Sequence, residues 1–137
     1  MNNTLTLTIT SLLSVLLGSF HLSDDIVRGI EPGGTSNFNG VLIMAVQLFA
    51  TLMLAERRWA HAIVLVMSLG EAAVPYLHMT GVGLVGPRIV KSGAVFFWVW
   101  TLMALGVTAT VSVVLAARGL WNLQRGRSRR AVESPSG

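Results

Sequence analysis

The chain has 137 residues, of which 53% are hydrophobic and only 12% are charged, and its formal net charge is +4. Because a soluble domain carries roughly 25% charged residues, this composition excludes an ordinary water-soluble domain and predicts a membrane protein. The sequence contains no cysteine, which excludes disulfides, thiolate metal sites and cysteine nucleophiles.

Four apolar runs follow one another along the chain, at positions 5–20, 41–55, 60–77 and 94–117. Each is close to the ~17–25 residues that a membrane-spanning helix needs, and a backbone in lipid must satisfy its own hydrogen bonds, which favours helices. We therefore predict an all-α membrane protein, a four-transmembrane-helix bundle with up-down-up-down topology. Its one domain occupies residues 1–126, with helices at about 4–28, 37–56, 59–78 and 92–118.

The basic residues predict the orientation of this bundle. One side carries Arg57 and Arg58 between the second and third runs, and also the arginines of the C-terminal segment, Arg118, Arg125, Arg127, Arg129 and Arg130. The other side carries only Arg28, Arg88 and Lys91. By the positive-inside rule, both termini are expected in the cytoplasm, with the protein in the cytoplasmic (inner) membrane.

The basic segment 127–137 is expected to be a disordered cytoplasmic tail, because it is short and polar. Its arginines are expected to contact anionic lipid headgroups, so the expected partner is the lipid bilayer and not nucleic acid. Trp59 and Trp121 are expected at the same membrane interface, where tryptophan is enriched.

The connection after the first run, "HLSDDIVRGIEPGG" at positions 21–34, gathers several charged residues. His21 and Asp25 are four residues apart, as are Asp24 and Arg28, so each pair meets if the segment is helical. We predict that the first helix continues for about two turns and ends at Gly29 and the following "EPGG". Two interpretations stay open, namely a solvated helix end with ordinary ion pairs or a functional site.

Glu71 lies within the third apolar run, and a carboxylate there is costly unless it faces the bundle interior. Glu71, Pro75 and His78 share one helix face, by their spacing of four and seven residues. We expect Glu71 to point into the bundle, close to Gln47 or to residues of the first helix, beneath a mouth lined by His21, Asp25 and His78.

Counting residues from the helix ends places Glu71 at the same depth as three polar residues of the other helices, Ser14, Gln47 and Thr101. Each of these side chains is a candidate hydrogen-bond partner for the carboxyl group. Gln47 is the least ordinary of the three, because small hydroxyl residues are common in membrane helices.

Other chemical signatures are weak. Glu71 and His78 are about 10 Å apart along a helix, too far to share one ion, and no HExxH motif is present, so no metal is expected. A haem between His21 and His78 is not expected either, because both lie at helix ends. The chain has no phosphate-binding loop or nucleophile elbow. The aromatic run "VFFWVW" at 95–100 is more typical of a core or interface than of a cofactor site.

The candidate ligand-binding or acid–base residues are therefore Glu71, His78, His21, Asp25 and Gln47. The leading hypothesis is a small membrane protein that binds an amphipathic or lipid-like ligand, or that serves as an accessory subunit to a membrane-protein partner. The first alternative is an enzyme on a lipid-like substrate, with Glu71 and a histidine as acid–base groups. The second alternative is a proton or ion pathway, which is disfavoured because only Ser68 continues from Glu71 toward the cytoplasm.

Overall fold

The computed structural model of the chain describes residues 3–53, 57–81 and 93–133. These form four α-helices: α1 (Asn3–Val27), α2 (Phe38–Met53), α3 (Arg58–Gly81) and α4 (Val95–Glu133), with a 3₁₀ turn at Thr35–Asn37 before α2. Each helical segment is long and apolar enough to cross a membrane. The expectation of an all-α chain with four such helices is confirmed.

The end of α1 has a capped geometry that its sequence explains. Gly29 has a φ of 67°, in the left-handed region that glycine adopts most easily. The amide of Gly29 donates to the carbonyl of Ile26, and the amide of Ile30 donates to the carbonyl of Asp25. This pair of bonds is a Schellman motif. It stops α1 immediately after the charged residues and fixes the backbone of Asp25 in the last turns of the helix.

The interior of the bundle is unusually polar. Its small apolar clusters, formed by Leu7, Ala50, Val64 and Ala116 and by Trp98 and Leu102, alternate with buried polar side chains. Among the described residues these polar side chains are Ser11, Ser14, His21, Asp25, Gln47, Thr51, His61, Ser68, Glu71, Thr101 and Ser112. All four helices instead turn large apolar side chains outward, for example Leu16, Phe49, Leu69 and Val107.

Two glycines of α4 permit close approach of α3. A Cβ atom added at Gly106 would lie 2.7 Å from Cγ of Pro75, and one added at Gly119 would overlap the ring of His61. Pro75 does not end the helix, because α3 continues through it to Gly81. The missing side chain at Gly106 therefore leaves the space that the proline ring occupies.

The C-terminal segment differs from the prediction. We expected helix four to end near residue 118 and residues 127–137 to be disordered, but α4 continues to Glu133. The segment from Arg118 to Glu133 contains five arginines and two leucines, which are good helix formers, and an interior glycine such as Gly126 costs only about 1 kcal/mol. The first proline after the start of α4 is Pro135, and the residue before a proline disfavours helix.

Candidate functional site

Three ionisable side chains meet where α1, α3 and the start of α4 come together. Nε2 of His78 lies 3.0 Å from Oδ2 of Asp25 and 3.4 Å from Nε2 of His21. The third distance, between Nε2 of His21 and Oδ2 of Asp25, is 3.5 Å. The predicted contact within α1 is thus present, and α3 adds His78 to it. We refer to His21, Asp25 and His78 as the histidine–aspartate cluster.

Each member of this cluster also has a hydrogen-bond partner on the side that faces away from the other two members. The indole Nε1 of Trp98 donates to Oδ1 of Asp25 at 2.6 Å. Nδ1 of His78 lies 3.0 Å from the carbonyl oxygen of Val74. Because a carbonyl oxygen only accepts, Nδ1 of His78 carries the proton and donates, which leaves Nε2 to face the cluster.

The orientation of His21 follows from Thr101 in the same way. The Thr101 hydroxyl lies 3.0 Å from the carbonyl of Phe97 and donates to it, and its oxygen is 3.4 Å from Nδ1 of His21. With its proton committed to the backbone, the hydroxyl oxygen accepts from Nδ1–H of His21. Nε2 of His21 then also points into the cluster as an acceptor.

The cluster is enclosed on most sides. His21 and Asp25 are buried, and Trp98 is completely inaccessible, while the side chain of His78 keeps 18% of its surface exposed. The rings of His21, His78 and Trp98 pack against one another, with centroid separations of 4.8–5.6 Å. Access from outside the bundle is therefore by way of His78.

Glu71 belongs to a separate layer deeper in the bundle. Nε2 of Gln47 donates to Oε2 of Glu71 at 3.2 Å, so the predicted contact between these two residues is present. The same amide nitrogen is 3.3 Å from the Ser11 hydroxyl, which is 2.8 Å from the hydroxyl of Thr51. Three helices, α1, α2 and α3, thus contribute to a connected polar layer.

Some buried oxygen atoms in and beside this layer lack a hydrogen-bond partner among the described residues. Within the part of the chain that the structure describes, Oε1 of Gln47, Oγ of Ser68 and Oε1 of Glu71 are buried without a hydrogen-bond partner. Ser68 and Glu71 are three residues apart and therefore lie on the same face of α3. Leaving a buried polar group unpaired costs about 1–3 kcal/mol, so three such atoms in one layer need an explanation.

The other predicted partners of Glu71 lie elsewhere. Ser14 donates to the hydroxyl of Thr108 at 3.0 Å, and Thr101 contacts His21. Counting along helices gave their depth but not the direction in which each side chain points. The sequence reasoning also missed Trp98, which we assigned with its aromatic neighbours to a core or interface. The available signal was the need of a buried indole N–H for an acceptor.

The structure describes some of the charged residues around the mouth formed by His21, Asp25 and His78. Nε of Arg28 lies 2.6 Å from Oδ2 of Asp24, as the spacing of these residues predicts. Arg28 also donates to the carbonyl of Ala94 at 2.9 Å, which connects the end of α1 to the start of α4. The other two basic residues of this side, Arg88 and Lys91, lie outside the described residues.

The opposite end of the bundle carries basic and aromatic residues. The guanidinium of Arg58 lies 5.5 Å from the ring centroid of Trp59, and that of Arg125 lies 4.8 Å from the ring centroid of Trp121. His61, at this end, is within hydrogen-bond distance of the carbonyl of Arg57, at 3.2 Å. The chain's third histidine is therefore far from the histidine–aspartate cluster.

No protein-family description matches the chain, and comparison with curated proteins and with solved structures likewise finds no match. Its candidate function therefore follows from its own residues.

Proposed function

We propose that the chain is an integral membrane protein whose four helices cross the bilayer in an up-down-up-down bundle. The arrangement of side chains supports insertion of the helices into a membrane. The outward faces of the helices are apolar, and their inward faces carry the hydroxyl, amide and carboxyl groups. In lipid, polar side chains face the bundle interior and bond to one another. A water-soluble bundle has the reverse pattern.

Contacts between helices support the up-down order. Three contacts join α1 to α4: Thr10 with Ser112, Ser14 with Thr108, and His21 with Thr101. The residue numbers increase along α1 while those of their partners decrease along α4, so the two helices run antiparallel. The same relation holds between α1 and α2, where Ser11 contacts Thr51 and Ser19 contacts Met44. Because only residues 54–57 separate α2 from α3, we expect Arg57 and Arg58 at the same end as Arg118 and Arg125, which is the cytoplasmic end by the positive-inside rule.

We propose further that this protein binds a small amphipathic or lipid-like molecule at the layer around Glu71. The observation that carries the proposal is the set of unpaired buried oxygens at Gln47, Ser68 and Glu71. A bound molecule that donates hydrogen bonds would satisfy them. Two of the three, the carbonyl oxygen of Gln47 and a carboxylate oxygen of Glu71, only accept.

The acceptors define the chemistry of the ligand. Its polar end should carry a hydroxyl or amine, while its apolar part is accommodated in lipid beside the outward-facing side chains. A molecule with acceptors only, such as an ester, would leave the same oxygens unpaired. Binding of an alcohol or amine is therefore expected to exceed that of an ester with the same hydrocarbon chain.

Thermal unfolding in mild detergent tests this proposal with dodecylamine, dodecanol and methyl dodecanoate as probes. The amine and the alcohol should stabilise the protein, by about 2.7 kcal/mol at a concentration one hundred times Kd, and the ester should not. Glu71→Gln should remove the response to the amine, and Glu31→Gln, a change in the exposed connection, should leave it intact. Equal stabilisation by the ester, or an unchanged response in Glu71→Gln, would contradict the proposal.

A proton pathway remains the second candidate because the structure extends the polar interior further than the sequence suggested. We expected only Ser68 beyond Glu71, but Ser11 and Thr51 from α1 and α2 continue the layer toward the basic end. Proton flux into pyranine-loaded vesicles, lost in Glu71→Gln and kept in Glu31→Gln, would support this candidate. The absence of flux above that of protein-free vesicles would exclude it.

The enzyme alternative gains no comparable support. Glu71 and His78 lie in separate layers, two helical turns or about 10 Å apart along α3, so they do not form a contacting acid–base pair.

A further inference from the structure

We propose that His21, Asp25 and His78 form a binding site for a divalent transition-metal ion of the zinc class. This site is separate from the ligand site proposed around Glu71, and the result of one test does not affect the other proposal. It also departs from the expectation of no metal, which depended on Glu71 and His78 sharing one ion. The proposed ligand atoms are Nε2 of both histidines and Oδ2 of the aspartate, which lie within 3.5 Å of one another.

The spacing of these atoms fits such an ion. Zinc binds imidazole nitrogen and carboxylate oxygen at about 2.0–2.2 Å in tetrahedral geometry, which places neighbouring ligand atoms about 3.3–3.6 Å apart. The three distances in the cluster are 3.0, 3.4 and 3.5 Å. An ion at the centre therefore needs only small movements of the side chains.

The orientation of the ligands fits as well. Histidine ligands of metals donate their second ring N–H to a carbonyl, carboxylate or water, and ligating carboxylates accept further hydrogen bonds. Here Nδ1 of His78 faces the carbonyl of Val74, Nδ1 of His21 faces Thr101, and Oδ1 of Asp25 accepts from Trp98. When both Nε2 atoms carry no proton, each of the three inward-facing atoms presents a lone pair to the cluster.

Three inward-facing acceptor atoms this close together favour a cation between them. A single proton shared by His78 and Asp25 would neutralise one contact and leave Nε2 of His21 only 3.5 Å from the same carboxylate oxygen. A divalent ion satisfies all three atoms together. Because imidazole and carboxylate favour zinc and the other late first-row ions over magnesium and calcium, the ligand set selects the transition-metal class.

The site has an open side. Three protein ligands leave one position of a tetrahedral ion free, as in zinc sites that keep an exchangeable water. The partial exposure of His78, in contrast with the burial of His21 and Asp25, places the route of entry beside that histidine.

Cobalt titration of the full-length protein, purified in detergent, freed of any histidine tag and treated with chelator, tests the proposal. Wild type should bind one Co²⁺ per chain with the intense visible bands of four-coordinate cobalt, and Zn²⁺ should displace it. His78→Gln and Asp25→Asn should each weaken binding by more than about 100-fold, and Trp98→Phe, which removes a supporting contact, by about 10–100-fold. His61→Gln changes a histidine at the other end of the bundle and should bind as wild type.

A measurement on wild-type protein covers the case in which a variant does not fold. X-ray absorption of the Zn²⁺-loaded chain should show two imidazole ligands. The chain has three histidines, and His61 lies at the opposite end, so two imidazoles on one ion identify His21 and His78. No stoichiometric uptake of Co²⁺, fewer than two imidazoles on zinc, or unchanged affinity in a folded His78→Gln protein would overturn the proposal.

Discussion

The indole Nε1 of Trp98 donates a hydrogen bond of 2.6 Å to Oδ1 of Asp25, and both side chains are buried. The two residues are 73 positions apart in the sequence, so this contact joins the end of α1 to the start of α4. It also determines which carboxylate oxygen of Asp25 is left to face the two histidines. The tryptophan thus has a structural role that its aromatic neighbours do not share.

Trp98→Phe is expected to lower the free energy of unfolding by about 1.5–3 kcal/mol, the range for a lost hydrogen bond to a charged group. Trp100→Phe is the matched control, because Trp100 lies on the same helix with 59% of its surface exposed. Unfolding of both variants in detergent, followed by far-UV circular dichroism, provides the comparison. Similar losses in the two variants would show that the bond to Asp25 contributes nothing specific.

Asp25→Asn is expected to destabilise the protein by about 1–3 kcal/mol, because it removes the charge that faces two histidines inside the bundle. Glu31→Gln is the control, because Glu31 lies in the exposed connection after α1 and its hydrogen bond from Asn37 is exposed, and such surface changes are usually within about 0.5 kcal/mol. Both measurements should be made with chelator present, so that metal binding does not enter. An equal or larger effect of Glu31→Gln would contradict the assignment of the cluster to Asp25.

Gly106→Ala is expected to destabilise the bundle by about 1–3 kcal/mol, the cost of inserting a methyl group into a filled space. Its new Cβ would lie 2.7 Å from the ring of Pro75, whereas a Cβ added at Gly70 would meet nothing within 4 Å. Gly70→Ala should therefore be neutral or stabilising, by up to about 1 kcal/mol from helix propensity. Thermal unfolding of the two variants separates these effects, and a stable Gly106→Ala protein would show that α3 and α4 are not in close contact there.

Removal of the residues after Gly126 should leave the bundle folded, because the described spans end at or before that position. The only expected structural change is a loss of helical signal from the end of α4, which continues to Glu133. Size-exclusion chromatography and circular dichroism test both points. Aggregation of the truncated protein, with no soluble form in detergent, would assign the segment a role in folding.

Reporter fusions test the proposed orientation. A fusion at the C-terminus and one at Arg57 should both report the cytoplasm, and one placed between Gly33 and Gly34 should report the opposite side. The reason is the concentration of arginine at one end of the bundle. Cytoplasmic activity from the fusion at the glycines would reverse the proposed orientation, and mixed results at the first two positions would exclude the up-down order.

The sequence predicted the helices better than it predicted the site. Runs of apolar residues determine where helices form, and glycine at position 29 determines where α1 ends. Glu71 and Gln47 could be paired because a buried carboxyl group and a buried amide each need a partner. The indole of Trp98 indicated only that it needs some acceptor. Val74 and Thr101 could not be identified as supports of the cluster, since their roles depend on helix rotation and on contacts between distant segments.

The hydrogen bonds between α1 and α4 have a consequence for the order in which the protein assembles. Ser14 and Thr10 of the first helix bond to Thr108 and Ser112 of the last, across 94 and 102 positions of sequence. During synthesis from the N-terminus, α1 emerges long before α4 exists, so its hydroxyls cannot reach these partners until nearly the whole chain has been made. Until then the Thr10 hydroxyl can donate to the carbonyl of Thr6 on its own helix, so it has a hydrogen-bond partner while α1 is still a single helix. The completed bundle therefore forms late, after the last helix has been synthesised. A chain that stops before α4 should still join α1, α2 and α3 through Ser11, Gln47 and Glu71, but it should lack every contact that α1 makes with α4.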